Sequence, residues 1–377
     1  MARKKRKIIA RNRAKTALRI AEAVIAVLAL IGLGVFCFFK YRSCNIPFKT
    51  RSVPFIVSDV MTGTGSGILY TRGSSLEHYS FKDEDDNFSI PLSGKPAGVV
   101  GTEGIKAVYS TEAVQILGAD FKITPEGRIV SVRGGQTHLG VLAKKPNGSE
   151  QLTVYNGAGQ QVYSLDFESG RLMSFGFSET SGNTLWTMEL DSDSGSPRTT
   201  VTTFDLARMS STGVIIVSGE LIEDVFFTDQ SVFLIGTESL IRYSAVQNRE
   251  IYRVRLHGYR VIDRTRRDSS PVLLLMPRDA ASLKEAGAVR LLTVSQKDVA
   301  EELSVGVTLP EDVVGCHLLA GGLVVVRPTC AMRYTYKGAF EGTLEMPSNV
   351  TVSSRKLDDR HILLERSGEF VLLVPTK

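Results

Sequence analysis

A short strand-like tetrapeptide returns along this chain at intervals of about forty residues. It begins at Leu76 ("LEHY"), Val114 ("VQIL"), Leu152 ("LTVY"), Val201 ("VTTF"), Leu240 ("LIRY"), Val289 ("VRLL"), Ala331 ("AMRY") and Phe370 ("FVLL"). The successive spacings are 38, 38, 49, 39, 49, 42 and 39 residues. Around the third copy, "LTVYNGAGQQVYSL" (residues 152–165) has two alternating apolar runs about an Asn-Gly-Ala-Gly turn, the pattern of a β-hairpin. A lone hairpin is marginal in water, so it must pack against others like it. A recurrence near forty residues in strand-forming sequence predicts propeller blades, each a four-stranded sheet. The expected fold is therefore all-β, a propeller of about eight blades (alternatively seven).

The units around the copies fit this reading. "RIVSVRGG", "HLGVLAKK", "QLTVYNGAG" and "QQVYSLDF" form one set of four runs, with the hairpin at 152–165 as the outer half of its blade. "IEDVFFTD", "SVFLIGTE", "SLIRYSAV" and "REIYRVRL" form another, and "VVGCHLLAG", "GLVVVRPT", "AMRYTYKG" and "AFEGTLEMP" a third. "DAASLKEAGA" (residues 279–288) reads as a helix inserted in a loop. The eighth copy leaves no residues for a fourth strand, so closure needs a strand from elsewhere. "SVPFIVSDV" (residues 52–60) has a suitable composition. A non-repeating sandwich is the competing architecture.

The first 39 residues have a different character. Residues 1–19 hold nine bases, among them Arg3, Lys4, Lys5, Arg6, Lys7, Arg11 and Arg13, and no acid. Residues 20–39, "IAEAVIAVLALIGLGVFCFF", hold one charge, Glu22. A helix of about 20 residues spans roughly 30 Å, the thickness of a bilayer core. The run is longer than the apolar region of a cleaved signal and leads into "KYRSC", which offers no cleavage site. An uncleaved transmembrane signal-anchor is expected, with residues 40–51 as a juxtamembrane linker and 52–377 as the propeller. The excess of bases before the span places the N-terminus in the cytoplasm and the rest outside.

The formal charge of +5 comes from that tail. Beyond residue 19, the remaining 36 of the chain's 45 bases face all 40 acids. The body thus lacks the basic surface of a nucleic-acid-binding protein. This layout resembles a family of bacterial single-pass membrane proteins, mostly of Gram-positive organisms, with an extracytoplasmic β-propeller and no assigned function. The basic tail, the anchor and turns such as "YNGAGQQVYSL" carry the resemblance. More distantly, the strand-turn-strand units are similar to quinoprotein-like and WD40-type propellers, including the scaffold lipoprotein of outer-membrane barrel assembly. Trp186 is the single tryptophan, so the once-per-blade Trp of those repeats is missing.

Linear signatures of chemistry are weak. "GTGSG" (residues 63–67) is followed by the strand-like "ILYTRG" instead of the helix a phosphate cradle requires. "DSDSG" (residues 191–195) lacks the closing Glu of a calcium loop, and "DEDD" (residues 83–86) reads as a charged turn. His78, His138, His257, His317 and His361 are widely separated, with no metal-ligand spacing. Cys316 and Cys330 either bridge or remain buried thiols. "RVIDRTRRD" (residues 260–268) reads either as a strand with local ion pairs or, through Arg260, Arg264, Arg266 and Arg267, as a patch for an anionic partner.

The functional expectation is a non-enzymatic, membrane-anchored scaffold, without cofactor, that binds an envelope protein or cell-wall polymer. The alternatives are a propeller enzyme (a quinone-dependent dehydrogenase or glycan hydrolase) and a sensor relaying binding through the single span.

Overall fold

The computed structural model describes residues 31–34, 48–53, 60–193, 195–267, 270–294, 302–346 and 350–375. These residues form eight antiparallel sheets, seven of four strands and one of three. Each sheet is one blade of an eight-bladed β-propeller. The first strands of the blades are Met61–Gly63, Gly98–Gly101, Arg128–Gly134, Leu172–Phe177, Ile222–Phe227, Tyr259–Arg267, Gly315–Leu319 and Thr351–Lys356. First strands touch one another from blade 1 through blade 4 and from blade 6 through blade 8, which places them innermost around the axis. The chain then steps outward strand by strand.

The core explains why the tetrapeptide recurs. Apolar side chains gather into eight clusters, one at each blade interface. Ser231–Gly236 of blade 5 shows the logic: every residue is buried. Val232 and Leu234 pack with Trp186 and Met188 of blade 4. Phe233 and Ile235 pack with Leu273 and Leu275 of blade 6. A middle strand sandwiched between two blades needs apolar residues on both faces, so it reads as a continuous apolar run. The hairpin at 152–165 occupies the two outer strands of blade 3, Glu150–Asn156 and Gln161–Phe167, with Leu152 and Val154 packed against Phe175 and Leu185 of blade 4.

Three features differ from the sequence reading. The closing strand is Phe48–Ser52, paired antiparallel with Glu369–Pro375 from Phe48↔Pro375 to Ser52↔Val371. It comes before the expected segment 52–60, of which residues 54–59 lie outside the described residues. An outermost strand needs apolar residues on one side only. Phe48 is fully buried, while Lys49 and Thr50 are exposed.

Blade 2 lacks a full fourth strand. Its third strand, Val114–Ile116, is followed by a turn at Gly118 (φ 89°), and only Ile123 returns to bridge Val114. Pro125 has no N–H with which to extend that ladder. Third, the insertion in blade 6 is helical only over Leu283–Ala286. Ser282 Oγ accepts from Glu285 N and Glu285 Oε2 from Ala281 N, and Gly287 ends the turn at φ 60°.

No helix among the described residues is long and apolar enough to cross a membrane. The expected tail at 1–19, with Arg3, Lys4, Lys5, Arg6, Lys7, Arg11 and Arg13, lies outside the described residues. So does the expected span at 20–39, apart from residues 31–34, which are helical and exposed.

Candidate functional site

Five inner strands carry a β-bulge near their start. The extra residues are Val130, Met173, Glu223, Ile262 and Val352, in blades 3, 4, 5, 6 and 8. A bulge leaves one residue unpaired and re-aims its side chain. Val130, Met173 and Val352 are 54%, 49% and 59% exposed, unusual for apolar residues on innermost strands. Every blade is traced in the same sense, so the five bulges line one rim of the ring.

Blade 8 relates that rim to the chain's point of entry. Thr351 opens its inner strand and pairs with Arg366, which pairs in turn with Glu369. The strand from Glu369 runs away from the rim to Pro375, and Phe48 pairs with Pro375. The chain therefore enters the ring on the face opposite the bulged rim.

Charged side chains of the inner strands are joined across blades. Arg264 Nη1 lies 2.8 Å from Glu179 Oε1 and its Nε 3.3 Å from Asp224 Oδ2. The guanidinium stacks 4.9 Å from the centre of the Phe226 ring. Glu179 Oε2 also accepts from Phe227 N at 3.0 Å, and Arg266 donates to the Phe227 carbonyl. On the other side, Asp263 Oδ1 pairs with Lys356 Nζ at 3.0 Å, and Asp263 Oδ2 accepts from Leu318 N at 2.7 Å. Lys356 also donates to the Arg264 carbonyl at 2.8 Å. Blades 4 to 8 are thereby laced together, and Glu179, Asp224 and Asp263 each face a cation.

The four arginines of the predicted patch do not act together. Arg264 and Arg266 turn toward blade 5, Arg267 lies 5.8 Å from the Tyr336 ring of blade 7, and Arg260 donates to Ala280 O at 3.2 Å. Arg264 and Arg266 lie within 4.0 Å of Glu179, a carboxylate distant in sequence. Nothing local in the sequence marks Glu179 and Asp224 as partners of Arg264, or Lys356 as the partner of Asp263. A strand's alternation reveals which face a residue occupies but not which blade answers it.

Beside this lacing, Ser354 Oγ and His317 Nε2 are 2.8 Å apart. Gly315 permits the approach, since a Cβ there would overlap the Ser354 hydroxyl. Burial pushes His317 down to about 4, against the opposing pull of Asp263. His317 is then neutral at pH 7 and accepts or donates one hydrogen bond. A base so weak suits a packed polar contact better than proton abstraction from a hydroxyl.

The remaining motifs fall in turns. "GTGSG" joins the first two strands of blade 1, with Thr64 N donating to Gly67 O. "DEDD" is a capped 3-10 turn, and Asp191–Asp193 of "DSDSG" end the second strand of blade 4. Cys316 and Cys330 are free and buried on the first and third strands of blade 7, and burial raises both thiols. Among the described residues, no group of three or more His, Cys, Asp or Glu is placed to hold a metal ion. A cleft of about 500 Å³ opens between the outer strands of blades 1 and 2, lined by Leu76, Ile90, Val108, Gln115 and Lys122. It lies where blade 2 lacks its fourth strand.

The eight sheets define an eight-bladed β-propeller. No protein-family model and no curated protein sequence matches the chain. Solved structures do. The crystal structure of BamB from Moraxella catarrhalis is 8% identical, with a TM-score of 0.53, covering 88% of this chain and 99% of that one. The WD40 domain of SCAP from fission yeast is 10% identical, with a TM-score of 0.59, covering 87% and 98%. At these identities the likeness is one of fold.

Proposed function

We propose that this chain is a non-enzymatic binding scaffold, held outside the cytoplasmic membrane by its N-terminal apolar segment. Its bulged rim would meet an envelope protein or a cell-wall polymer. The observation that carries this reading is the opposition of rim and entry point. An anchor preceding Phe48 approaches one face, and Val130, Met173 and Val352 are exposed on the other. The nine residue steps from 39 to 48 reach at most about 32 Å, so the ring would stand close to the lipid with its rim outward.

Apolar side chains exposed on an otherwise paired scaffold mark an interaction surface more readily than a reaction centre. The enzyme alternative calls for a carboxylate free to act as acid or base, whereas Glu179, Asp224 and Asp263 are held by Arg264 and Lys356. A photo-crosslinking residue at Met173 or Val352 in intact cells should capture one common partner. The same residue at Lys337, in a turn on the entry face, should not. Capture from Lys337 alone would reverse the assignment of the faces.

A further inference from the structure

Among the described residues, the outer edges of the blades are protected in different ways, and one is left largely uncovered. Blade 1 ends in a four-residue strand closed by Pro91, and blade 2 is bridged by Ile123. Blade 3 carries Asp166, held by Lys145 at 2.8 Å. Blades 5, 7 and 8 place Glu250 and Arg253, Glu341 and Glu345, and Lys49 and Arg51 on their outermost strands. Blade 6 is overlain by the blade 7 turn at Gly338, which sits against Val305. Charge, Pro, shortness and cover are the usual devices against edge-to-edge pairing. The outermost strand of blade 4, Ser210–Ser218, has neither charge nor Pro and runs for nine residues.

Its cover is partial. Asn248, in the equivalent turn of blade 5, donates to Val214 O at 3.1 Å and lies against Gly213. Gly219 N donates to Pro197 O at 3.0 Å, one step beyond the pair Ser218↔Arg198. Antiparallel ladders alternate, so Val217, Ile215 and Gly213 bond inward, while the backbones of Val214, Ile216 and Ser218 point out of the sheet. The Asn248 bond to Val214 agrees with that assignment. Val214 and Ile216 are also 45% and 47% exposed.

We propose that two copies of the chain pair through this strand, antiparallel about a two-fold axis at Ile216. Ile216 then faces Ile216 of the second copy, and Val214 faces Ser218, whose N–H takes the Val214 carbonyl over from Asn248. Self-complementarity favours a second copy. An uncharged edge is best met by another uncharged edge, and no like charges oppose each other in this register. The exposed Val and Ile side chains of one copy cover those of the other. Pairing over about five residues buries less than the roughly 1,000 Å² of a stable interface, so association is weak and concentration-dependent.

The test is light scattering on the full chain in detergent micelles, over a wide concentration range. The wild-type chain should pass from monomer to dimer as concentration rises. Ile216→Lys and Ile216→Glu should each stay monomeric, because like charges meet at the axis. An equal mixture of the two should dimerise again, and Ile216→Thr should keep most of the association. The proposal is overturned by a wild-type chain monomeric throughout, by a dimer that Ile216→Lys leaves intact, or by failure of the mixture to associate. The wild-type measurement stands by itself should a charged variant not fold.

Discussion

Arg264 and Glu179 lie 85 positions apart in sequence and 2.8 Å apart in the folded ring, joining blade 6 to blade 4 over the intervening blade 5. The contact skips a blade because Glu179 leaves the end of one inner strand while Arg264 projects along another, with Phe226 beneath it. Neighbouring blades are already held by apolar clusters. This pair adds a second kind of link, directional and short-ranged, around the inside of the ring.

Replacing Arg264 should therefore weaken the ring as a whole. Arg264→Met leaves Glu179 and Asp224 without their main cation, with an expected loss of about 1–3 kcal/mol for a pair about one-third exposed. Arg264→Lys should recover little of it, since one ammonium cannot serve both carboxylates and stack on Phe226. Urea denaturation of the full chain measures both. A loss restored by Lys would mean that charge alone matters.

Ring closure gives a sharper prediction. Phe48 is fully buried among Leu319, Val324, Ile362 and Leu373, on the strand that completes blade 8. Phe48→Ala should cost about 3–5 kcal/mol. A fragment beginning at residue 53 should melt well below one beginning at residue 48, because it loses the closing strand and exposes an unpaired edge. Equal melting temperatures would show that the ring holds without that strand.

The blades were legible because their cause is periodic. Each middle strand must be apolar on both faces, and the period of the ring returns that demand about every forty residues. The closing strand was harder to read for a related reason. "FKTRS" buries Phe48 and directs charge outward, as suits an outermost strand, whereas "SVPFIVSDV" has the composition of an inner one. The fourth strand of blade 2 was expected from the period, yet the turn at Gly118 and Pro125 breaks its ladder. The inner-strand lacing was not legible at all. The arginines after Tyr259 stand out as a run, but their partners at Glu179, Asp224 and Phe227 depend on how blades are placed. The bulges at Val130, Met173 and Val352 leave no mark in a strand's composition.

His317 makes stability depend on pH in a defined window. Burial lowers it from 6.5 to about 4, so the unfolded chain takes up the proton first as the pH falls. The stability tied to neutral His317 is complete above about pH 6.5 and is lost as the pH falls toward about 4. Asp263 and Lys356 face the ring with opposing effects, and Ser354 holds its Nε2. Between pH 7 and pH 5 the wild-type chain should lose about 1–2 kcal/mol more than His317→Gln. Asp312, held low by its hydrogen bond to Arg327, titrates in both proteins and cancels in the difference. Parallel pH profiles for the two proteins would show that His317 is not the group responsible.

The proposed anchoring fixes the topology of the whole chain. Nine bases before the apolar run would resist translocation, and the run itself would partition into lipid. Protease added to intact spheroplasts should reach a reporter fused after Lys377 and leave one fused at Met1 untouched until the membrane is opened. Replacing Arg3, Lys4, Lys5, Arg6, Lys7, Arg11 and Arg13 with neutral residues should weaken this orientation and invert part of the population. The bulged rim would then face the wrong compartment, and crosslinks from Met173 should fall in the same proportion. Cleavage of the Met1 reporter in intact cells, with the C-terminal one spared, would reverse the orientation. A mature protein beginning beyond residue 39 would make the segment a cleaved signal, and the ring would then need another means of attachment.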